Sequence, residues 1–343
     1  MREALFFEKK GNNVKCSLCA RNCIIPDGKS GFCRVRKNIN GKLYSLVYGR
    51  VCAASIDPIE KKPLYMFDPG SKALSISTVG CNFKCDFCCN FELSCASNMA
   101  GDETSPQAVV EMAKRSNVQG IAYTYNEPTV FFEFALDIAK IAKKHGLYNI
   151  FVTNGYTSTK AIDMIAPYLD AATVDFKGSA NPEFYKKFCS VPNVQPIFDA
   201  LLAYKKNSVH VEITNLIVPN VDEDKKDFKK LCEWIVKNMG PKTPFHILRF
   251  YPSYKMSDRK ETDVKILEEC YKMAKEIGLE YVYLGNVSGH KYENTYCHNC
   301  GKMVIERTIS GVIKFLLKDN SCPFCKEKLP VNGLKWSKLT QEK

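Results

Sequence analysis

The chain has 343 residues, 45% hydrophobic and 11% aromatic, which is ample for one large barrel or two to three ordinary domains with buried cores. No apolar run approaches the roughly 18 residues of a membrane span, and residues 4–7 are too short for a signal-peptide core, so no membrane association and a cytoplasmic location are expected. The formal charge of +12 is concentrated at the ends, with 11 Lys plus Arg against 3 acids in residues 1–50 and 10 against 5 in residues 291–343. Both ends also hold cysteine quartets, and zinc bound as a tetrathiolate would cancel part of that excess. A nucleic-acid surface is thus a weaker expectation than lysines that solubilise small metal modules. With no export signal, 17 cysteines point to metals in a reducing compartment rather than to disulfides.

The first quartet, Cys16, Cys19, Cys23 and Cys33, surrounds the turn Pro26-Asp27-Gly28. Its uneven spacing suits zinc, the first choice, or an auxiliary iron–sulfur cluster. Residues 57–64 carry no chemistry that can be derived, and a lid, a partner-docking turn or plain structure stand even. From there strand and amphipathic helix alternate, with strands expected at 73–79, 120–125, 149–153, 172–176, 209–218, 244–250 and 281–284. Apolar residues at three- and four-residue steps predict helices over 128–145, closed by Gly146, and over 222–239, while Thr104-Ser105-Pro106 caps another. Such alternation implies a parallel sheet with helices outside it and a ligand site at the carboxyl ends of the strands.

Cys81, Cys85 and Cys88 follow the first of these strands with the spacing C-x3-C-x2-C. Three thiolates so placed can hold three corners of a cubane iron–sulfur cluster, which leaves the fourth iron open to a small chelating ligand. Zinc would call for a second C-x2-C pair, which is lacking here. The spacing, the glycine before it and Phe87 before the third cysteine resemble the radical S-adenosylmethionine (SAM) enzymes, in which the methionyl amine and carboxylate of SAM chelate the open iron. Asn126 and Glu127, in Tyr-Asn-Glu-Pro after the second strand, occupy the place of the Gly-Gly-Glu-Pro element that holds the methionyl amine in that family. Thr153 and Asn154, in Val-Thr-Asn-Gly, and Asp175 and Lys177, in Asp-Phe-Lys-Gly, resemble strand-end elements of the glycyl-radical-enzyme activases. There they contact the ribose and the methionyl carboxylate. Val152 stands where those enzymes have aspartate, so their cation site is not carried over, and Tyr254 is a weak match to a histidine late in their barrel.

Cys297 and Cys300 with Cys322 and Cys325 form two C-x2-C pairs separated by a hairpin over 303–317, the pattern of a structural zinc ribbon, or less readily of a rubredoxin-like iron. Cys52, Cys189, Cys232 and Cys270 read as core or surface thiols. In its full order the chain resembles the AmmeMemoRadiSam-system radical SAM enzymes, relatives of the pyruvate formate-lyase activases. The resemblance implies an α/β fold: a partial (β/α)6 TIM-like barrel over 71–290, a Cys-rich N-terminal module and lead-in over 1–70, and a zinc-ribbon module and tail over 291–343. It also implies a 4Fe-4S cluster that cleaves SAM reductively, a 5′-deoxyadenosyl radical that abstracts hydrogen from a partner protein, and a flavodoxin- or ferredoxin-type electron donor. Modification of a small molecule or RNA is the second reading, and a non-catalytic iron–sulfur or zinc scaffold the third. The ribbon is expected to be separable from SAM chemistry.

Overall fold

Eight strands between residues 53 and 285 form one sheet: β1 (Ala53–Pro58), β2 (Lys72–Ser77), β3 (Gly120–Tyr123), β4 (Tyr148–Thr153), β5 (Ala171–Lys177), β6 (His210–Ile217), β7 (Phe245–Arg249) and β8 (Val282–Gly285). A computed structural model of the chain describes residues 1–96, 98–219, 225–308, 310–334 and 336. The strands neighbour one another in chain order, β2 to β8 parallel and β1 antiparallel at the edge. Helices α1 (Pro106–Arg115), α2 (Phe132–Lys144), α3 (Thr159–Ile165), α4 (Pro182–Cys189), α5 (Gln195–Lys206), α6 (Lys226–Asn238) and α7 (Val264–Ile277) supply the crossovers. Parallel neighbours demand such crossovers, and six strand-then-helix units precede the closing strand β8. Ser105 caps α1 by accepting from the Ala108 amide, with Pro106 in the first turn, and Gly146 takes φ +73° just past α2. The expected start of α6 at 222–224 lies outside the described residues.

Strand alternation divides the sheet into two faces. Leu74, Ile76, Ile121, Phe151, Val174 and Ile213 share one core with helix residues such as Val110, Phe134, Ile162, Leu201, Leu231 and Leu267. On the other face Ala73, Ala122, Tyr148, Ile150 and Ala171 pack around Ile59, Leu64 and Phe67. The lead-in segment therefore plugs the helix-free face. Thr173 Oγ1 donates to the Pro63 carbonyl at 3.2 Å, and Glu212 accepts from the Tyr65 and Met66 amides at 2.9 and 2.7 Å. Buried Asp57 pairs with Lys61 and Lys62 at 3.0 and 2.6 Å and accepts from Tyr125 Oη at 2.8 Å. A plug with these contacts is neither a lid nor an exposed docking turn.

Strand β1 escapes a reading by pattern. Its Ala54, Ser55 and Ile56 are exposed and Pro58 ends it, so no apolar alternation marks it. Before it, two three-stranded sheets form from Phe7–Lys10, Asn13–Cys16 and Ile24–Ile25, and from Arg2–Glu3, Lys42–Ser45 and Arg36–Ile39. After the main sheet come β9 (Thr295–Tyr296), β10 (Met303–Thr308) and β11 (Gly311–Phe315). Buried Arg307 donates to Thr295 Oγ1 and to the Tyr65 carbonyl, both at 2.6 Å, so this C-terminal piece holds the plug from below. It shares a core with Tyr65, Met66, Tyr281 and Tyr283. The tail from Lys335 lies outside the described residues except for Trp336, which packs on Phe67 and Tyr148. No helix among the described residues is long and apolar enough to cross a membrane.

Candidate active site and metal centres

At the carboxyl end of β2 the chain turns through Gly80, at φ +93°. A Cβ there would stand 2.6 Å from Val35 Cγ1 and 2.9 Å from the Cys33 carbonyl, so glycine is required both by conformation and by the N-terminal module packed against it. The loop that follows carries Cys81, Cys85 and Cys88. Lys84 and Asp86 amides donate to the Cys189 and Phe188 carbonyls at 3.0 and 2.8 Å, and the Lys255 amide donates to the Asp86 carbonyl at 2.9 Å. The end of α4 and the turn at residues 253–255 thus clamp the loop, while Phe87 is buried against Phe184 and Phe250. Tyr254 stacks on Phe91 at 4.6 Å.

Burial pushes the Cys81 and Cys88 thiols up, and Cys85 is raised by its contact with Cys189 and then by burial. The positive charge of Lys177 works against this at Cys85 and Cys88. Metal binding here must displace protons, and a cation poised among the thiols favours that. Burial alone would lower the Lys177 pKa, but Asp175 and Cys85 hold it well above the usual lysine range. Lys177 is ion-paired with Asp175, two residues back on the same face of β5, and Asp175 also accepts from Thr214 Oγ1 at 2.6 Å across the β5–β6 register.

On the other side of the loop, Tyr125 adopts φ +67° where the resembling families have glycine. Asn126 Nδ2 donates to the Gly80 carbonyl at 2.8 Å, and its Oδ1 is buried without a hydrogen-bond partner among the described residues. Glu127 is fully buried. Its Oε1 accepts from the Thr129 amide, Thr129 Oγ1 and Thr153 Oγ1 at 3.0, 2.5 and 2.8 Å, and its Oε2 accepts from the Asn154 amide at 2.8 Å. Asn154 Nδ2 in turn donates to Asn82 Oδ1 at 2.8 Å and lies 3.9 Å from Cys81 Sγ. The structure therefore gathers Cys81, Asn126, Glu127, Thr153 and Asn154 into one network and sets Asp175 and Lys177 beside Cys85 and Cys88. Glu127 braces that network, capping the turn Pro128–Phe131, rather than presenting a free carboxylate.

Among the described residues, the cysteine, histidine and carboxylate ligand atoms gathered three or more together within 4.8 Å of one another are those of Cys297, Cys300, Cys322 and Cys325. The sulfurs of Cys297 and Cys325 are 3.6 Å apart and those of Cys300 and Cys322 3.7 Å. Zinc–sulfur bonds of about 2.3 Å at tetrahedral angles put neighbouring sulfurs about 3.8 Å apart, so this quartet fits one zinc. The Glu327 amide helps to pull Cys325 down to about 6, which supplies a thiolate at neutral pH. The quartet sits at the amino ends of the strands, where Tyr281 Oη meets His298 Nδ1 at 2.7 Å, opposite the Cys81 loop. The Cys81, Cys85 and Cys88 sulfurs are not gathered so tightly. A single zinc cannot span such a set, whereas the separate irons of a cubane can, and the unpartnered Asn126 Oδ1 beside it is an acceptor suited to an ammonium group.

Comparison with known proteins agrees with this geometry. The family described as Radical SAM superfamily matches residues 75–235, from β2 into α6. An uncharacterized protein of Methanocaldococcus jannaschii is 43% identical over 336 residues, 96% of this chain and 99% of its own. The chain belongs to the radical SAM superfamily. Pyruvate formate-lyase-activating enzyme of Clostridium pasteurianum is 26% identical over 217 residues, 58% of this chain and 88% of that one, so the kinship extends to activating enzymes. A radical SAM methyltransferase from Sphaerobacter thermophilus has a like fold, with a TM-score of 0.51 at 12% identity over 66% of this chain and 70% of its own. The protein is thus an enzyme of the radical SAM type.

Three residues packed around the Cys81 loop were not singled out from the sequence. Cys189, read as an ordinary thiol, is buried beside Cys85. Asn82 links Cys81 to Asn154, and Thr214 orients Asp175. Asn82 lay within the cysteine spacing and could have been found there, but Cys189 and Thr214 arrive through helix docking and strand register, which leave no local signal.

Proposed function

We propose that Cys81, Cys85 and Cys88 hold an open 4Fe-4S cluster against which SAM binds, and that the enzyme draws a hydrogen atom from a partner protein. The observation that carries this reading is the convergence, at the strand carboxyl ends, of three thiols, Cys81 buried and Cys85 and Cys88 half-buried, with Asn126 Oδ1, unpartnered among the described residues, on one side and the Lys177–Asp175 pair on the other. When bound there and reduced, such a cluster supplies the one electron that breaks the S–C5′ bond of SAM and yields the 5′-deoxyadenosyl radical. Asn126 Oδ1 takes the methionyl ammonium, Lys177 faces the carboxylate, and Asp175 accepts from the ribose hydroxyls. Glu127 and Thr153 are positioning residues, and Asn154 steadies the cysteine loop through Asn82. Phe87 walls the loop from water, which protects a radical reaction more than any side-chain base could assist it.

The activating-enzyme kinship supports a protein as hydrogen donor and a flavodoxin- or ferredoxin-type protein as electron source. The C-terminal quartet holds zinc structurally, since a closed tetrathiolate has no position for substrate. The test is formation of 5′-deoxyadenosine from SAM by anaerobically reconstituted, dithionite-reduced protein. Replacing all three cysteines by alanine should abolish it, and turnover by that variant at the parent rate would refute the assignment. Deuterium transfer from labelled candidate proteins into 5′-deoxyadenosine then separates a protein substrate from a small molecule or RNA.

A further inference from the structure

We infer that Cys16, Cys19, Cys23 and Cys33 hold a second, closed 4Fe-4S cluster and not the zinc ion that four cysteines first suggest. The inference stands independently of SAM cleavage. All four residues line one cavity of about 20 Å³, and Arg36 and Asn82 line it with them. Zinc draws its sulfurs to about 2.3 Å from the ion, so a tetrathiolate closes on itself and encloses no room for a water molecule. The C-terminal quartet shows that contact packing, with sulfur pairs at 3.6 and 3.7 Å. The N-terminal four are not gathered within the 4.8 Å that the ribbon sulfurs share, and the cavity they line together with Leu18, Ile25, Phe32 and Val130 exceeds the roughly 10–15 Å³ that one water needs. A cubane carries each thiolate on a different iron, so its ligand shell is wider and has such a hollow at its centre.

The polar groups around the cavity point the same way. Arg36 and Asn82 are buried, and each is held firmly. Arg36 makes a bidentate pair with Glu133 at 2.7 and 2.8 Å, and Asn82 Oδ1 accepts from Asn154 at 2.8 Å. Yet Arg36 Nε and Asn82 Nδ2 have no hydrogen-bond partner among the described residues. Buried donors are seldom left unsatisfied, and two at the wall of one cysteine-lined cavity call for acceptors inside it. The sulfide and thiolate sulfurs of an anionic cluster are such acceptors, whereas a bare zinc ion offers none beyond its four ligands. Asn82 follows Cys81 directly and Gly80 packs on the Cys33 carbonyl, so the second cluster lies beside the first. With four cysteine ligands it has no open iron and can only take up and pass on single electrons.

The test is anaerobic reconstitution of full-length Cys81→Ala/Cys85→Ala/Cys88→Ala protein with iron and sulfide, read by iron, acid-labile sulfide and zinc content and by low-temperature EPR after reduction. We expect about four iron and four sulfide per chain, with about one zinc in the ribbon. Adding Cys19→Ser and Cys33→Ser should remove the iron and sulfide and spare the zinc. If that five-site variant does not fold, the unaltered chain decides: about eight iron per chain supports the inference, and about four iron with two zinc overturns it. Two zinc and no sulfide in the triple variant, only about two iron, or a cluster that survives loss of Cys19 and Cys33 would likewise overturn it.

Discussion

Glu212 offers a direct test of how the plug beneath the active site is held. Its fully buried carboxylate accepts four hydrogen bonds: Oε2 from the Tyr65 amide at 2.9 Å and His246 Nε2 at 2.6 Å, Oε1 from the Met66 amide at 2.7 Å and His210 Nε2 at 3.1 Å. Glu212→Gln keeps the shape but turns one of these oxygens into a donor. Whichever way the amide is turned, one backbone N–H and one histidine N–H lose their acceptor. A hydrogen bond to a charged group contributes about 1.5–3 kcal/mol, so two such losses amount to about 3–6 kcal/mol, a large share of the 5–15 kcal/mol typical of a whole domain. A tautomer switch at the histidine could restore its bond, which leaves the backbone loss of at least about 1.5 kcal/mol as the floor. Burial alone would raise the Glu212 pKa, but the two histidines hold it well below its ordinary value of 4.5. Its stabilisation is thus complete above that value and is lost as pH falls below it, so the acid limb of the stability curve should be shallower in the glutamine variant. Urea unfolding followed by circular dichroism, at neutral and acid pH, measures both effects. A loss under about 1 kcal/mol at neutral pH, or acid limbs of equal slope, would refute the anchoring role.

Further outcomes follow from the same contacts. Lys177→Met should weaken SAM binding to the cluster-loaded enzyme by roughly 10- to 100-fold, the range for a charge-assisted contact, and an unchanged Kd would reject that role. Gly80→Ala should reduce the cluster content of reconstituted protein, since its Cβ would fall 2.9 Å from the Cys33 carbonyl; normal iron loading would show that the loop gives way. Glu133→Ala leaves the Arg36 guanidinium buried and unpaired and should cost about 3–5 kcal/mol in unfolding free energy. Stripping zinc with a chelator should lower the melting temperature of the whole chain rather than release the ribbon alone, because Arg307 bonds to the plug at Tyr65; a separate low-temperature transition would contradict this.

What was legible in the sequence follows the range of the interactions. The parallel strands and their helices could be read because each buries a face whose period is written locally, and the ribbon because four cysteines gathered for one metal ion keep a fixed spacing. The edge strand β1 could not, since its hydrogen bonds to β2 bury little of its own side-chain surface. Residues 57–64 stayed open because their partners, Thr173, Tyr125 and Gly70, are distant in the chain or reached through the backbone. Glu127 stood at the position expected for a ligand of SAM, yet its oxygens are taken by Thr129, Thr153 and Asn154, contacts that depend on how β4 lies beside the loop after β3.

Tyr125 shows how the site and the plug depend on each other. A non-glycine residue in the left-handed region costs about 1–2 kcal/mol, and in place of the family's glycine that cost needs a return. The Tyr125 carbonyl accepts from Asn90 Nδ2 at 2.7 Å, just beyond Cys88 and Cys89, while its hydroxyl reaches Asp57 at 2.8 Å, where Lys61 and Lys62 also pair. One side chain therefore ties the rim that orients Asn126 to the ion pairs that seat the lead-in segment. A glycine would relieve the strain but cut that tie. The substitution that sets this chain apart from the Gly-Gly-Glu-Pro pattern thus makes the geometry of the site answer to the buried plug below it.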